Sequence, residues 1–298
     1  MLKIRSQRKR KMPTIKGLHV NSTAPFFAKK NGKDYYIEDF EILTTILSAL
    51  MWRKCNGPIK LYTDDIGLEY YQTLGLTDLW DGGIDTETIS NIPDSIDQNI
   101  FWAGAKLFAL KNEGALVALI DTDLIVWTDL NEILSKEKFA CLHREEFVEC
   151  YLPLELLKRR KGYAPDPKWD WSVNPCNTAF AYFGDKELLE YYTTRSIDFM
   201  TDNKEMPCEL VSQMVFAEQR VVAMCAKALD IPIYAFLNDP YQDNNDIFSH
   251  LWGAKNIARD RRSQRVALCC ALMKKINNLF PEYKNDSEVF NVIMENYF

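Results

Sequence analysis

Residues 115–120 read Ala-Leu-Val-Ala-Leu-Ile and run directly into Asp121-Thr122-Asp123. An unbroken apolar run of this kind suits a central strand covered on both faces, as in a parallel sheet flanked by helices. Such a strand points to an α/β architecture. Open sheets of that class bind ligands beyond the carboxyl ends of their strands, and the two aspartates fall at that point.

The surrounding pattern agrees. Residues 15–20 read as a first strand ending in the polar loop Asn21-Ser22-Thr23. Ile37, Phe40, Leu43, Ile46, Leu47, Leu50 and Met51 recur at three- and four-residue steps, the period of an amphipathic helix, and Asn56-Gly57-Pro58 stops it. A β-branched and aromatic run follows at 59–63, ending on Asp64-Asp65, and then a short helix through Tyr70 and Leu74. Residues 96–110 predict a further helix, closed by Asn112-Glu113-Gly114. Beyond the central strand, 143–172 is dense in charge, aromatics and proline and reads as an irregular segment over the site. Strands are expected within 173–183 and 231–236, helices at 186–201 and 208–229, a polar loop at 239–249, and helix from about 257. The expected organisation is a basic leader at 1–14, an α/β domain at 15–256 and a helical C-terminal extension at 257–298 packed on it. No repeat at a solenoid period interrupts it.

Composition narrows the class. With 298 residues, 47% hydrophobic and only 12 Gly and 12 Pro, the chain is neither disordered nor fibrous. No apolar stretch approaches the ~18–20 residues that a bilayer span requires. The eight cysteines contain no CxxC, so reduced core thiols are expected rather than a zinc knuckle or a disulfide framework. Seven of the 36 basic residues lie in the first twenty positions, leaving 29 against 42 acids, a charge of −13, for the rest. Nucleic acid is therefore not an expected partner. No apolar segment follows the leader as a signal peptide would require, so a cytoplasmic chain is expected, with the leader either solvated or touching anionic lipid at the membrane's inner face.

Residues two apart on an extended chain point the same way. Asp121 and Asp123 can thus converge on one hard cation, and a buried unpaired carboxylate is too costly to be explained by packing. About 130 residues later stands Ser249-His250-Leu-Trp-Gly253-Ala-Lys255. A neutral imidazole can supply a third ligand, the glycine permits close backbone approach, and a lysine ammonium suits a diphosphate oxygen.

The two motifs together resemble those of the GT-A-fold glycosyltransferases, which use nucleotide-diphosphate sugars, and in particular the retaining family that includes glycogenin and bacterial lipopolysaccharide galactosyltransferases. The matching positions are Asp121, Asp123, His250, Gly253 and Lys255; Asn256-Ile257 stands where the family usually has Pro-Trp. The resemblance spans about 15–256 and implies a GT-A-like, Rossmann-type mixed sheet flanked by helices. It also implies a metal held by Asp121, Asp123 and His250, a phosphate contact from Lys255, a UDP-sugar donor, a glycan or lipid-linked acceptor, retention of configuration, and a setting in bacterial surface-polysaccharide assembly. Oxygen-rich ligation suits Mn²⁺ or Mg²⁺, and the imidazole favours Mn²⁺.

Further positions follow from the resemblance. Asn177, in Asn177-Thr178-Ala179, matches the family's Asn-x-Gly strand, with Ala179 in place of Gly; a turn-forming Asn is the alternative. Glu218-Gln219 is similar to the acidic-Gln pair near the reacting centre, against a plain exposed helical pair. Ser22, Thr23 and Asp64 would lie along the same sheet edge and can meet ribose and base, Asp64 also reading as a helix cap. Lys106 can reach a phosphate or pair with an acid. Tyr163, Trp169, Trp171 and Trp252 can stack on sugar rings or fill the core. Two other readings compete: a haloacid-dehalogenase-like phosphatase with Asp121 as nucleophile and Asp123 as acid/base, although Ile125 stands where that family wants Thr or Val, and a GT-A-like binder without turnover.

Overall fold

The apolar run becomes strand β4 only from Val117 to Ile120, and all four residues are buried. Side chains alternate across a strand: Ala118 and Ile120 enter one core, Val117 and Leu119 the other. The computed structural model of the chain describes residues 14–30, 32–207, 209–238 and 246–284. Nearly all of the expected leader, part of the polar loop at 239–249 and the last 14 residues lie outside the described residues.

Nine strands are formed by the described residues: β1 (Lys16–Asn21), β2 (Ile59–Thr63), β3 (Ile84–Asp85), β4, β5 (Leu124–Val126), β6 (Phe139–His143), β7 (Phe180–Phe183), β8 (Tyr234–Leu237) and β9 (Phe248–His250). Seven make one sheet in the order β3-β2-β1-β4-β7-β6-β8. Its neighbours are parallel except where β7 runs opposite to β4 and β6. The expected mixed sheet flanked by helices is therefore present. The two remaining strands, β5 and β9, lie outside that sheet and pair antiparallel as a small separate ribbon.

The helices are α1 (Ala24–Lys29), α2 (Asp39–Cys55), α3 (Asp65–Thr73), α4 (Glu87–Ser90), α5 (Ala105–Glu113), α6 (Asn131–Leu134), α7 (Lys186–Met200), α8 (Leu210–Val215), α9 (Val221–Ala228), α10 (Ala254–Asp260), α11 (Arg262–Leu279) and α12 (Pro281–Lys284). On one face of the sheet α2 and α11 share a core built around Phe40, Leu47, Trp52, Phe180, Met273 and Ile276. On the other, α5, α7 and α9 share one built around Leu107, Leu110, Leu188, Tyr192 and Val222. Gly17 is required where β1 passes beneath α2, because a Cβ there would stand 2.6 Å from the Trp52 ring nitrogen. No helix among the described residues is long and apolar enough to cross a membrane.

Three expectations are corrected. The helix expected from 96 begins only at Ala105, because the Asp97 carboxylate accepts from the backbone N–H of Asn99 and Ile100 and ties the preceding segment into a turn. It ends as expected, at Gly114, where φ is +82°. The strand region from 173 contracts to β7, because Pro175 offers no N–H and Asn177 Oδ1 takes the N–H of Ala179. The C-terminal helices begin at Ala254, inside the second motif, rather than at 257.

Candidate metal centre

The small β5–β9 ribbon is what assembles the site. Its register sets Leu124 opposite His250, and the N–H of Leu251 donates to the carbonyl of Asp123 at 3.1 Å. At the end of β4, Asp121 N–H donates to Ala179 O at 2.8 Å and Leu124 N–H donates to Asp121 O at 2.9 Å, closing a tight turn over the two aspartates. One ligand atom each from Asp121, Asp123 and His250 thereby lies within 4.8 Å of the others. Residues 127–129 apart in the chain are thus brought together by three-residue strands.

Each carboxylate has its own cation. Lys106 Nζ, at the start of α5, stands 2.6 Å from Asp121 Oδ1 and 2.8 Å from Glu218 Oε1. Burial opposes the charge on Lys106, but Asp121 and Glu218 outweigh it and raise its pKa well above the ordinary value. Burial pushes the Asp121 carboxyl upward, ahead of the Lys106 attraction, and Asp123 and Glu218 push the same way. Lys255 Nζ is 2.6 Å and His250 Nε2 3.4 Å from Asp123 Oδ2. Against the cost of burial, His250 and Lys255 hold the Asp123 carboxyl well below its usual range.

The donor set of two carboxylates and an imidazole fits a divalent cation of the Mn²⁺ or Mg²⁺ class. The carboxylates support that fit: Asp121, Asp123 and Glu218 gather in one largely buried cluster, and Asp121 and Asp123 raise each other's cost of charging unless a cation is near.

Two cavities adjoin the site, one at Asp123 and one at His250. The smaller, about 230 Å³, is walled by Asn21, Tyr35, Tyr36, Thr122, Asp123 and Lys255. The larger, about 670 Å³, is walled by Glu145, Tyr151, Asn177, Gln219, His250 and Gly253 among others. A third, about 740 Å³, lies away at Arg53, Asp78 and Phe280 and includes none of the three candidate ligands.

The other expected residues divide. Asp64 spends its carboxylate inside the protein: it accepts from Thr23 N–H at 2.6 Å, Thr23 Oγ1 at 3.0 Å and Gly67 N–H at 2.9 Å, capping α3. Thr23 is buried in the same arrangement. These two are therefore read as structural, and only Ser22, which donates to Gln98 Oε1 at 3.1 Å, lines the smaller cavity. Glu218 is not an exposed helical residue: a π turn at Phe216–Arg220 between α8 and α9 directs it inward, 3% exposed, onto Lys106. Gln219 faces the larger cavity and accepts from the Tyr151 hydroxyl. Asn177 donates to Glu145 Oε1 at 2.8 Å on the same wall. Gly253 has open space where a Cβ would be. Trp169 is core, packed against Phe216, and Trp171 stacks on Phe216. Tyr163 packs on Phe199. Trp252 alone of the four stands at the cavity, 68% exposed.

Sequence reasoning missed Glu41 and His19. Glu41, on α2, lies 3.9 Å from Lys255 and 2.8 Å from Arg259, tying α10 over the smaller cavity. His19, buried in β1, accepts from Trp80 Nε1 at 3.3 Å through Nδ1, so its proton sits on Nε2, which donates to Ser48 Oγ at 3.0 Å. Ser48 in turn donates to the carbonyl of Leu124, the residue after Asp123. The acidic start of α2 and a lone histidine in a strand were the available signals, and neither names its partner.

Among solved structures the chain is similar to mouse xyloside xylosyltransferase 1 at 12% identity and a TM-score of 0.37, over 74% of this chain and 84% of that one. It is similar to an active-site mutant of LgtC at 12% identity and 0.37, over 79% and 86%. It also resembles the bifunctional glycosyltransferase WbbM at 11% identity and 0.34, over 86% of this chain but 49% of that one. No curated protein matches the sequence. A family model does match, over residues 12–286, so the chain belongs to DUF6734, a family of unknown function.

Proposed function

We propose that the chain is a metal-dependent glycosyltransferase that moves a sugar from a nucleoside-diphosphate donor, UDP-linked, to a glycan or lipid-linked hydroxyl acceptor with retention of configuration. One observation carries the reading: two aspartates and a histidine converge within 4.8 Å, with Asp123 lining one cavity and His250 another. The smaller is suited to a nucleoside and the larger to sugar and acceptor.

Breaking a nucleotide-sugar bond develops negative charge on the departing diphosphate, so stabilising the leaving group is the difficult task. Asp121, Asp123 and His250 would hold a divalent cation that, when bound, supplies Lewis-acid stabilisation of diphosphate oxygens. Lys255 reaches the same point from the first turn of α10 and would bring a second positive charge to the phosphates. Lys106 bridges Asp121 and Glu218, offsets one of their two charges and fixes their orientation. Asn177, Glu145 and Gln219 offer hydrogen-bond partners to hydroxyls in the larger cavity.

The phosphatase alternative needs Asp123 as a proton donor. Its carboxylate is instead engaged by Lys255 at 2.6 Å and His250 at 3.4 Å, which favours the transferase reading.

The test is UDP release from a panel of UDP-sugars with Mn²⁺ and candidate acceptors. Turnover is expected in the wild type and a loss of roughly 10²–10³-fold in Asp123→Ala and His250→Ala, by analogy with other lost electrostatic contacts. Metal-dependent UDP binding without any consumption of donor would instead support a non-catalytic binder. Phosphate ester hydrolysis that labels Asp121 covalently would support the phosphatase.

A further inference from the structure

The walls of the larger cavity are unevenly built. The hydrogen-bonding side chains Glu145, Tyr151, Asn177 and Gln219 stand together with His250, while Leu142, Val148, Val211, Val215, Leu237 and Phe248 supply apolar wall. At the mouth, exposed apolar groups meet from three separate segments: Val148 at 56% exposure, Val211 at 40% and Trp252 at 68%. Phe147, 47% exposed, adjoins Val148 and lies over the Arg220 guanidinium. Exposed apolar groups scattered singly need no explanation, but several gathered at one cavity mark a binding surface.

Charge is as informative as hydrophobicity here. Among the described residues, no lysine or arginine lines this cavity, and its one carboxylate is Glu145. Arg220 is 3% exposed and donates to the Trp171 carbonyl at 2.8 Å, and Arg144 donates to the carbonyls of Asn174 and Pro175. Both cations of the metal centre attach to the aspartates, and Lys255 opens on the smaller cavity. A phosphate placed in the larger cavity away from the metal centre would be desolvated against Glu145, with no lysine or arginine among the lining residues to receive it.

Resting on the transferase reading, we infer that the acceptor is a neutral glycoside with an apolar aglycone, and that no phosphate joins its sugar to the apolar part. The sugar hydroxyls meet Asn177, Glu145 and Gln219, and the aglycone leaves along Val148 and Val211 past Trp252. The cavity, about 670 Å³, falls within the roughly 300–1,000 Å³ usual for pockets that enclose small ligands.

The experiment titrates the full chain calorimetrically with three probes below their micellar concentrations: methyl β-galactoside, octyl β-galactoside and galactosyl octyl phosphate. Affinity should rise roughly tenfold for every two methylenes buried. The octyl glycoside is therefore expected to bind at least ~10-fold tighter than the methyl glycoside, and the phosphodiester more weakly than the neutral octyl glycoside. Val148→Ser with Val211→Ser should remove most of the octyl advantage. Equal affinity for methyl and octyl probes, no detectable octyl binding, or tighter binding of the phosphodiester each overturns the inference. UDP binding with Mn²⁺, measured on the same preparation, separates this failure from that of the parent reading. A protein that binds UDP but shows no alkyl preference refutes the acceptor class alone. A protein with alkyl preference that does not bind UDP keeps the apolar site and refutes the transfer.

Discussion

Lys106 is the residue on which the charge balance of the centre turns, and Lys106→Met removes its cation while keeping most of its apolar stem. Its ammonium lies 2.6 Å from Asp121 and 2.8 Å from Glu218, with side-chain exposures of 15%, 22% and 4% for the three residues. At an effective dielectric of ~20, each contact has a Coulomb attraction of roughly 6 kcal/mol. Desolvation of the three charges offsets much of that, and removing one member of a buried pair costs roughly 3–5 kcal/mol because its partners stay buried and unpaired. A destabilisation of roughly 3–5 kcal/mol is therefore expected, about 6–20 °C in melting temperature for a chain of this size. Urea denaturation of wild type, Lys106→Met, Glu218→Gln and the double variant reads it directly. The double variant should be more stable than the sum of the single losses by at least ~1 kcal/mol, because removing Glu218's charge relieves the repulsion that losing Lys106 creates. A Lys106→Met protein within ~1 kcal/mol of wild type, or strict additivity, would refute the triad.

Burial lowers the His19 pKa to about 3, with Asp123 opposing. From about 6.5 downward the unfolded chain binds a proton that the folded chain refuses, so His19's contribution is complete above that pH and is lost as pH falls toward 3. The loss at pH 5 is roughly 2 kcal/mol and should vanish in His19→Gln, checked by urea denaturation at pH 7.5 and 5. Asp64→Ala deletes a cap and two hydrogen bonds from Thr23 and should cost roughly 1.5–3 kcal/mol by the same assay. Trp169→Ala should cost roughly 3–5 kcal/mol as a core truncation, whereas Trp252→Ala should stay within ~0.5 kcal/mol of wild type. Gly253→Ala meets open space at ordinary φ and should likewise leave the melting temperature unchanged, while any ligand that approaches that backbone would bind more weakly.

What was legible depended on whether the determinant was local. β4 could be read because burial on both faces leaves an unbroken apolar run, and α2 because one of its faces repeats every three to four residues. The residues of the candidate centre were visible as types, since Asp-Thr-Asp after such a strand has few packing explanations. Their meeting was not visible, because it depends on two three-residue strands, β5 and β9, that pair across more than 120 positions. Strands so short leave too little alternation to detect. The burial of Glu218 was hidden for a related reason: its partner Lys106 is 112 residues away, and a π turn carries it inward where a plain helical pair would stand exposed. Asp64 offered two readings in sequence, and Thr23, folded against it, decides for the cap.

Calorimetric titration of Mn²⁺ into the protein with UDP present, repeated on Asp123→Ala and His250→Ala, tests most directly whether the three side chains hold one cation against a diphosphate. Saturable binding in the wild type and its loss in both variants is expected. Unchanged binding in either variant would contradict the metal centre.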